Sequence, residues 1–358
     1  MKIYILTLFL IASLSGNAQT DSIKNPFSFS GYIETYYAFD FGNPSDHNRP
    51  GFVYSHNKHN EVNINLGFLK TSYATKNVRS NLALMTGTYA NANLAAESGT
   101  SKNIFEANVG VKVAKNKNLW IDAGIFASHI GFESAIGKDC WNLTRSILAD
   151  NSPYYESGVK LSYTTKNEKW FISGLLLNGW QRIQRVVGNN SPAFGHQLTF
   201  KPNQRITLNS SSFIGSDSPD STKKMRYFHN FYGQFQINKK IGVIVGFDFG
   251  VQQQAKDTNK YNNWYSPVLI AKYKVNKKIS IAARGEYFSD QSEVIIATAT
   301  PNGFQTFGYS LNFDYNFADN MVWRIEGRGF SSKDKIFILD KLPSTQNYFV
   351  STALAISF

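Results

Sequence analysis

Asn347–Phe358 reads NYFVSTALAISF. Tyr348, Val350, Thr352, Leu354, Ile356 and Phe358 share one parity. Asn347, Ser351, Ala353, Ala355 and Ser357 share the other, with Phe349 the exception. Successive side chains of an extended backbone point to opposite sides, so this alternation makes a strand with two chemically different faces. A strand of this length, apolar at alternate positions and closing on Phe, has the form of the last strand of a membrane-spanning barrel. A soluble sandwich can also end on a strand, so the preceding sequence decides.

Upstream, similar runs follow one another from Phe27. Phe27, Phe29, Gly31, Ile33, Thr35, Tyr37 and Phe39 fall on one face of the first run. In the second, Val62, Ile64, Leu66 and Phe68 alternate with Asn63, Asn65 and Gly67. In the fourth, Phe105, Ala107, Val109, Val111 and Val113 alternate with Glu106, Asn108, Gly110 and Lys112. Late in the chain Phe307, Tyr309, Leu311, Phe313, Tyr315 and Phe317 oppose Gly308, Ser310, Asn312, Asp314 and Asn316. A soluble protein must cover such a face with a second layer, and no helical pattern supplies one. In lipid the face meets acyl chains, while closure of the sheet satisfies every backbone group.

Connector lengths alternate as well. Short polar turns (Lys115–Asn118, Thr165–Glu168, Lys201–Asn203, Asn238–Lys240, Asn276–Lys278, Ala318–Asn320) take turns with longer loops (Gly131–Ser152, Gln181–Ser191, Ser216–Met225, Gln254–Asn262, Ser289–Asn302, Ser331–Thr345). Short turns at one end and long loops at the other are the arrangement of an outer-membrane barrel. The sequence therefore predicts an all-β fold: a transmembrane antiparallel up-and-down β-barrel of about sixteen strands, with short periplasmic turns and long extracellular loops.

Composition agrees. The 358 residues are 42% hydrophobic, ordinary for a soluble chain, yet 15% aromatic, with 28 Phe and 19 Tyr. After the N-terminus no apolar run approaches the roughly 18 residues that a transmembrane helix needs. Lys2 followed by IYILTLFLIASL (Ile3–Leu14), with Gly16 and Ala18 at small positions, reads as a signal peptide over residues 1–18. Residues 19–26 then form a short periplasmic segment and 27–358 the barrel. Cys140 is the single cysteine, so no internal disulfide is available. The net charge of +12 suits nucleic acid, but export excludes it, and lysines in turns and loops explain the charge.

With the apolar parity facing lipid, the other parity lines the lumen. It carries Glu34, Arg79, Glu106, Lys112, Asp122, Glu156, Lys160, Asp248, Lys272, Arg284, Glu286, Arg324, Glu326 and Arg328. Ionised groups on a membrane strand need water or a partner, which argues for a hydrated pore. Arg284, Glu286, Arg324 and Glu326 lie on adjacent strands and can also pair within the wall. Basic groups (Lys272, Arg284, Arg324, Arg328) cluster late and acidic ones (Glu106, Asp122, Glu156) early. The loop Gly131–Ser152 adds Glu133, Asp139 and Asp150 with Lys138 and Arg145. It resembles the pore-constricting third long loop of general porins. The expected constriction sets acidic loop groups against a basic wall and orients dipolar solutes. Trp120, Phe126 and Trp141 are candidate aromatic steps for a solute.

Other chemistry finds little support. His56, His59 and Glu61, with His47 nearby, contain metal-ligand types. At strand spacing, residues three apart point to opposite faces, which favours a polar loop-to-strand junction. His129 with Glu133 is a similarly weak pair. No nucleophile elbow, P-loop or dinucleotide fingerprint occurs, so neither an enzyme nor a cofactor is expected.

Two stretches carry a family likeness: SHNKHNEVNINLGFLKTSYATKNVRSNLALMTGTYANANLAAE (Ser55–Glu97) and KNLWIDAGIFASHIGFESAIGKDCWNLTRSILADNSPYYESGVKLSYT (Lys117–Thr164). Together with WFISGLLLNGWQRI (Trp170–Ile183), they resemble the OmpL-like family of β-barrel porins of Gram-negative bacteria. The resemblance implies an outer-membrane porin passing small hydrophilic solutes; the aromatic steps leave a substrate-selective channel for sugars, amino acids or anions as the alternative, and an outer-membrane barrel enzyme stands behind it. It implies outer-membrane lipid and lipopolysaccharide as surroundings. The terminal Phe358 strand resembles the signal read by the barrel-assembly machinery, and general porins imply a homotrimer.

Overall fold

Phe304–Ala318 shows how the alternation is used. Phe307, Tyr309, Leu311 and Phe317 are exposed, while Ser310, Asn312 and Asp314 are buried. Apolar side chains point out and polar ones in, the inverse of a soluble sheet and the arrangement required in hydrocarbon. The computed structural model describes residues 25–358. The signal peptide expected over 1–18 lies outside the described residues.

In chain order the strands begin with β1 (Phe27–Asp40), β2 (Val62–Ala74), β3 (Val78–Thr86), β4 (Ile104–Lys112), β5 (Asn118–Ala127) and β6 (Tyr155–Thr164). They continue with β7 (Trp170–Leu177), β8 (Ala193–Asn203), β9 (Ile206–Gly215), β10 (Arg226–Gln236), β11 (Ile241–Gln253) and β12 (Tyr261–Lys274). The last are β13 (Ile279–Asp290), β14 (Phe304–Ala318), β15 (Met321–Ser332), β16 (Phe337–Leu339), β17 (Leu342–Ser344) and β18 (Gln346–Ser357). Neighbours in sequence pair antiparallel, and β18 returns beside β1, closing a barrel of sixteen strands, the expected number. β16 and β17 form a separate hairpin within the loop 333–345. The run Phe194–Phe200, short in the sequence, belongs to the longer β8.

Of four register slips in the barrel, two lie away from the short turns and move side chains across the wall. In β2 the register slips between Glu34 and Thr35: Glu34 pairs with Leu66, whereas Thr35 pairs with Ile64. The extra residue, Asn65, leaves Val62 and Ile64 facing lipid and turns Leu66 and Phe68 inward. The expectation that these four share one face is thereby corrected. In β4 a slip opposite Ala83 and Leu84 turns Phe105 inward, where it stacks on Phe68 with ring centroids 4.7 Å apart. Its expected place with Ala107 and Val109 was on the lipid side.

The closing pair is tight. Gly31 N donates to Phe358 O at 2.7 Å and Phe358 N to Gly31 O at 3.0 Å. The Phe358 ring lies over Gly31 where any Cβ would stand. Gly31→Val therefore displaces the terminal ring and lowers the temperature at which the barrel unfolds in a heat-modifiability gel. Ser30→Ala on the next position leaves it unchanged. Equal temperatures for the two variants would remove this role for Gly31.

The barrel interior is filled from within. At the long-loop end, inward aromatics from successive strands (Phe213, Phe228, Trp264, Phe288, Phe304, Phe330, Phe349) form one cluster. Loop residues Phe52, Ile147, Ile296 and Phe337 complete it. Apolar contact there offsets the entropy of ordering long loops.

Candidate functional site: the inserted loop and the lumen beside it

The segment between β5 and β6 turns into the barrel. Its root is held by His129, whose Nδ1 lies 2.8 Å from Glu156 Oε2 and whose Nε2 lies 2.8 Å from Ser212 O. Ser211 Oγ donates to His129 O at 2.8 Å, and Gly131 N donates to Asn230 Oδ1 at 3.2 Å. The loop thus leaves β5 already tied to β6, β9 and β10.

A carboxylate on one ring nitrogen and a carbonyl on the other require both nitrogens of His129 to donate, hence an imidazolium. Burial opposes that charge, but Glu156 beside it and the Ser212 carbonyl outweigh burial and raise the pKa above the ordinary histidine value. A raised histidine contributes its full stability below the unfolded value of about 6.5 and loses it as pH climbs through the folded value. Channel conductance therefore rises as pH climbs past the ordinary histidine range and the loop root loosens. His129→Gln abolishes that pH dependence in planar bilayers; an unchanged titration would show that another group carries it.

The loop tip reaches β1 and β18. Lys138 N donates to Tyr32 Oη at 3.2 Å and Lys138 Nζ to Ser357 Oγ at 2.9 Å. Arg324 receives the tip: Nη1 donates to Gly137 O at 2.7 Å, and Nη2 to the carbonyls of Cys140 and Trp141, each at 3.0 Å. Its Nε binds Asp314 Oδ1 at 2.7 Å. The planar guanidinium suits this task because it offers five donors in a fixed fork. Loop carbonyls buried without such donors would each cost about 1–3 kcal/mol.

The returning limb repeats the scheme. Thr144 N and Oγ1 both donate to Glu326 Oε2, at 2.5 and 2.9 Å. Arg284 Nη1 donates to Thr144 O and Arg328 Nη1 to Arg145 O, each at 2.7 Å. Ile147 N donates to Glu286 Oε2 at 2.6 Å. Between the wall groups, Arg284 pairs with Glu326 at 3.0 Å and Arg328 with Glu286 at 2.5 Å. Arg145 clamps the loop on itself through Ser134 O and Leu143 O, each at 2.7 Å. Ser146 caps α2 (Ile147–Asp150) by accepting from Ala149 N, and Glu133 accepts from the Ser146 hydroxyl.

The late basic wall is therefore not a free electrostatic surface. Arg145, Arg284, Arg324 and Arg328 are buried, and their donors hold the loop and its neighbouring carboxylates. The loop meets that wall chiefly with carbonyls and with one of the acidic side chains expected there, Glu133, whose Oε1 lies 3.8 Å from Arg284 Nη1. Lys272 stands 3.9 Å from Asp314. Asp150 is buried, accepts from Ser55 Oγ at 2.9 Å, and is pushed up to about 6 by burial. Glu156 is occupied by His129. Asp139 is exposed at the tip.

A cavity of about 720 Å³ lies on the other side of the loop, between residues 130–136 and β2–β4. Phe68, Met85, Tyr89, Phe105 and Phe132 line it with Lys70, Glu106 and Glu133. Lys70 Nζ lies 2.5 Å from Glu106. Further along the same wall Arg79 binds Asp122 through two hydrogen bonds of 2.7 and 2.6 Å. Lys160 Nζ sits 4.6 Å from the centre of the Phe126 ring, with no carboxylate within 4 Å among the described residues. Glu106 and Asp122 are thus brought together, whereas the late arginines belong to a different wall. Lys70 escaped the sequence reading because the Asn65 bulge changes the parity of β2. The signal was present: a lysine sharing parity with lipid-facing residues is untenable in mid-membrane.

Of the candidate aromatic steps, Trp120 and Phe126 stack with Arg79 and Lys160 on the β2–β6 wall, whereas Trp141 lies on the loop. Trp141 packs on Gly242, Phe126 is buried, and Trp120 lies under the Arg79 guanidinium at 4.3 Å. His56 lies 3.4 Å from Glu34 and His59 Nδ1 accepts from Asp40 N at 2.9 Å. Among the described residues no group of three His, Cys, Asp or Glu is disposed to hold a metal.

Curated protein sequences contain no match to this chain. Solved structures share the fold at low identity. An anion-selective porin from Comamonas acidovorans is 7% identical, with a TM-score of 0.61 over 93% of this chain and 99% of that one. The outer membrane channel DcaP of Acinetobacter baumannii is 11% identical, with a TM-score of 0.60 over 93% and 97%. In-vitro folded OmpT of Vibrio cholerae, in its trimer form, is 11% identical, with a TM-score of 0.57 over 92% and 98%. The sequence itself matches the model of one family over residues 26–358, so that this barrel with its inserted loop is a porin and belongs to the beta-barrel porin-2, OmpL-like family.

Proposed function

We propose that this porin passes small hydrophilic solutes passively across the outer membrane, after export directed by residues 1–18. The path runs between the inserted loop and the wall of β2–β6. The observation that carries the reading is the cavity on that side, with ion pairs along its wall, while the opposite wall is consumed in holding the loop. Glu106, Asp122, Glu133 and Asp139 then face or flank the path with Lys70, Arg79, Lys112 and Lys160. The reading assigns no catalytic step and no cofactor.

Planar-bilayer conductance in a salt gradient tests it, because conductance reports width and reversal potential reports charge preference. Absence of ion-permeable channels from correctly folded barrels would sink the reading. The stacked Phe68 and Phe105 rings at the cavity favour solutes with an apolar face as a narrower variant. Faster liposome swelling with leucine-containing dipeptides than with sugars of similar mass would support that variant.

A homotrimer fits the outer surface. The lipid-facing positions of β3, β4 and β5 are aliphatic or small (Leu82, Leu84, Ala107, Val109, Val111, Ile121, Ala123), whereas β14 presents Phe307, Tyr309, Phe313, Tyr315 and Phe317 there. Interrupted aromatic girdles mark a wall meeting protein rather than the lipid interface. Native mass spectrometry in mild detergent reads the subunit number directly.

A further inference from the structure

We propose that the outer wall of β8–β10 holds an anionic, phosphate-bearing lipid of the outer leaflet. The inference rests on the proposed outer-membrane location. Register places Gly174, His196, Ser212 and His229 in one row across β7–β10. The row faces outward, since Phe194, Leu198, Leu208, Ile214, Tyr227 and Phe231, which share its parity, are all exposed. Ser210 joins from the adjacent row. His196 Nδ1 lies 2.5 Å from Ser212 Oγ, and Ser210 Oγ lies 2.8 Å from His229 Nε2. Among the described residues, His229 Nδ1 has no hydrogen-bond partner.

Imidazoles and hydroxyls on a lipid-facing wall are costly unless something polar meets them. The row lies two positions inside Phe194 and Tyr227, towards the long-loop end of the barrel. Directly beyond that end are loops 178–192, 216–225 and 254–260, carrying six basic and three acidic side chains, a net charge of +3. The other five long loops (41–61, 87–103, 128–154, 291–303 and 333–345) together carry −1. Arg182, Arg185, Lys223, Lys224, Lys256 and Lys260 have no carboxylate within 4 Å among the described residues. Lys223 rests on a hydroxyl and Lys256 on a carbonyl. A polar patch just inside the membrane beneath a basic collar matches a lipid with phosphate in its headgroup and ester or amide carbonyls at the top of its chains. The carbonyls accept from the imidazole N–H groups and hydroxyls, and the phosphate supplies the missing counter-charge.

The test uses the mature chain in detergent, titrated with diphosphorylated lipid A, its dephosphorylated form, phosphatidylglycerol and inorganic phosphate. Retained lipid is read by native mass spectrometry. Wild type should retain diphosphorylated lipid A over the other three. Lys223→Gln with Lys224→Gln should weaken retention roughly thirty-fold. His196→Leu with His229→Leu, which places apolar groups on a lipid-facing wall and so preserves folding, should weaken it several-fold. Conductance of the same samples stays at the wild-type level, so a failure here is distinguishable from failure of the porin reading. Equal retention of dephosphorylated lipid or phosphatidylglycerol would overturn the proposal. So would unchanged binding by both double variants, saturation by inorganic phosphate alone, or the leucine variant dispersing an oligomer, which would assign the row to a second copy.

Discussion

Replacing Arg324 by Met increases single-channel conductance several-fold and leaves ion preference nearly where it was. The side chain supplies hydrogen bonds to three carbonyls of the loop tip and holds Asp314. Removing one partner from a buried charged pair costs roughly 3–5 kcal/mol, because the other is left uncompensated. Part of that is avoided here, since Lys272 stands 3.9 Å from Asp314. The loop tip then has only Lys138 to keep it against β1 and β18, and it spends more time away from the wall. Adding Asp314→Asn should recover much of the lost unfolding temperature without restoring the narrow conductance, because the carbonyls remain unserved. Unchanged conductance in Arg324→Met, with the barrel folded, would mean that the loop is seated by other contacts. A large shift in reversal potential would restore the reading of this arginine as a pore charge.

Lys160→Glu should move the channel's ion preference strongly towards cations. On the wall of β2–β6, Lys70 is held by Glu106 and Arg79 by Asp122. Lys160 packs on the Phe126 ring, opposite Asp122 in register but with no carboxylate within 4 Å, and Lys112 further along adds a second basic group. An unpaired charge in a narrow aqueous space acts with less screening than one in bulk water. Reversing it therefore moves the reversal potential more than neutralising a residue already paired, such as Arg79. Reversal potentials of Lys160→Glu and Arg328→Met, measured in one salt gradient, compare the two walls directly. A greater shift for Arg328→Met would place the path on the other side of the loop.

The wall was legible in the sequence because parity is a local property. Each strand from β5 onward shows its lipid face in alternate residues, and β14 does so without exception over Phe307–Phe317. The two errors of facing arise where one extra residue was inserted. Asn65 and Phe105 sit in runs that still alternate by eye, and only pairing with β1 and β3 reveals the slip. The inserted loop was legible as a long segment with charges. Its place inside the barrel against the late basic wall was expected; the individual contacts that seat it were not, since they join residues more than a hundred positions apart, as Leu143 and Asn312 do. The charge pattern pointed to acid facing base. The folded chain keeps one such contact, Glu133 with Arg284, pairs the other wall arginines with wall carboxylates, and adds bonds from these arginines to peptide carbonyls, which leave no trace in a list of charged side chains.

The loop tip has a consequence for the order in which this protein is made. Lys138 binds Tyr32 on the first strand and Ser357 on the last, one on each side of the junction where the ends of the sheet meet. Until that junction exists, the tip has only half a seat. A nascent barrel awaiting its final strand holds the loop through β13–β15 but lacks the tip's contacts across the junction. Sealing the sheet then also completes the fixing of the bore, so that a defect at the junction loosens the tip as well as the wall.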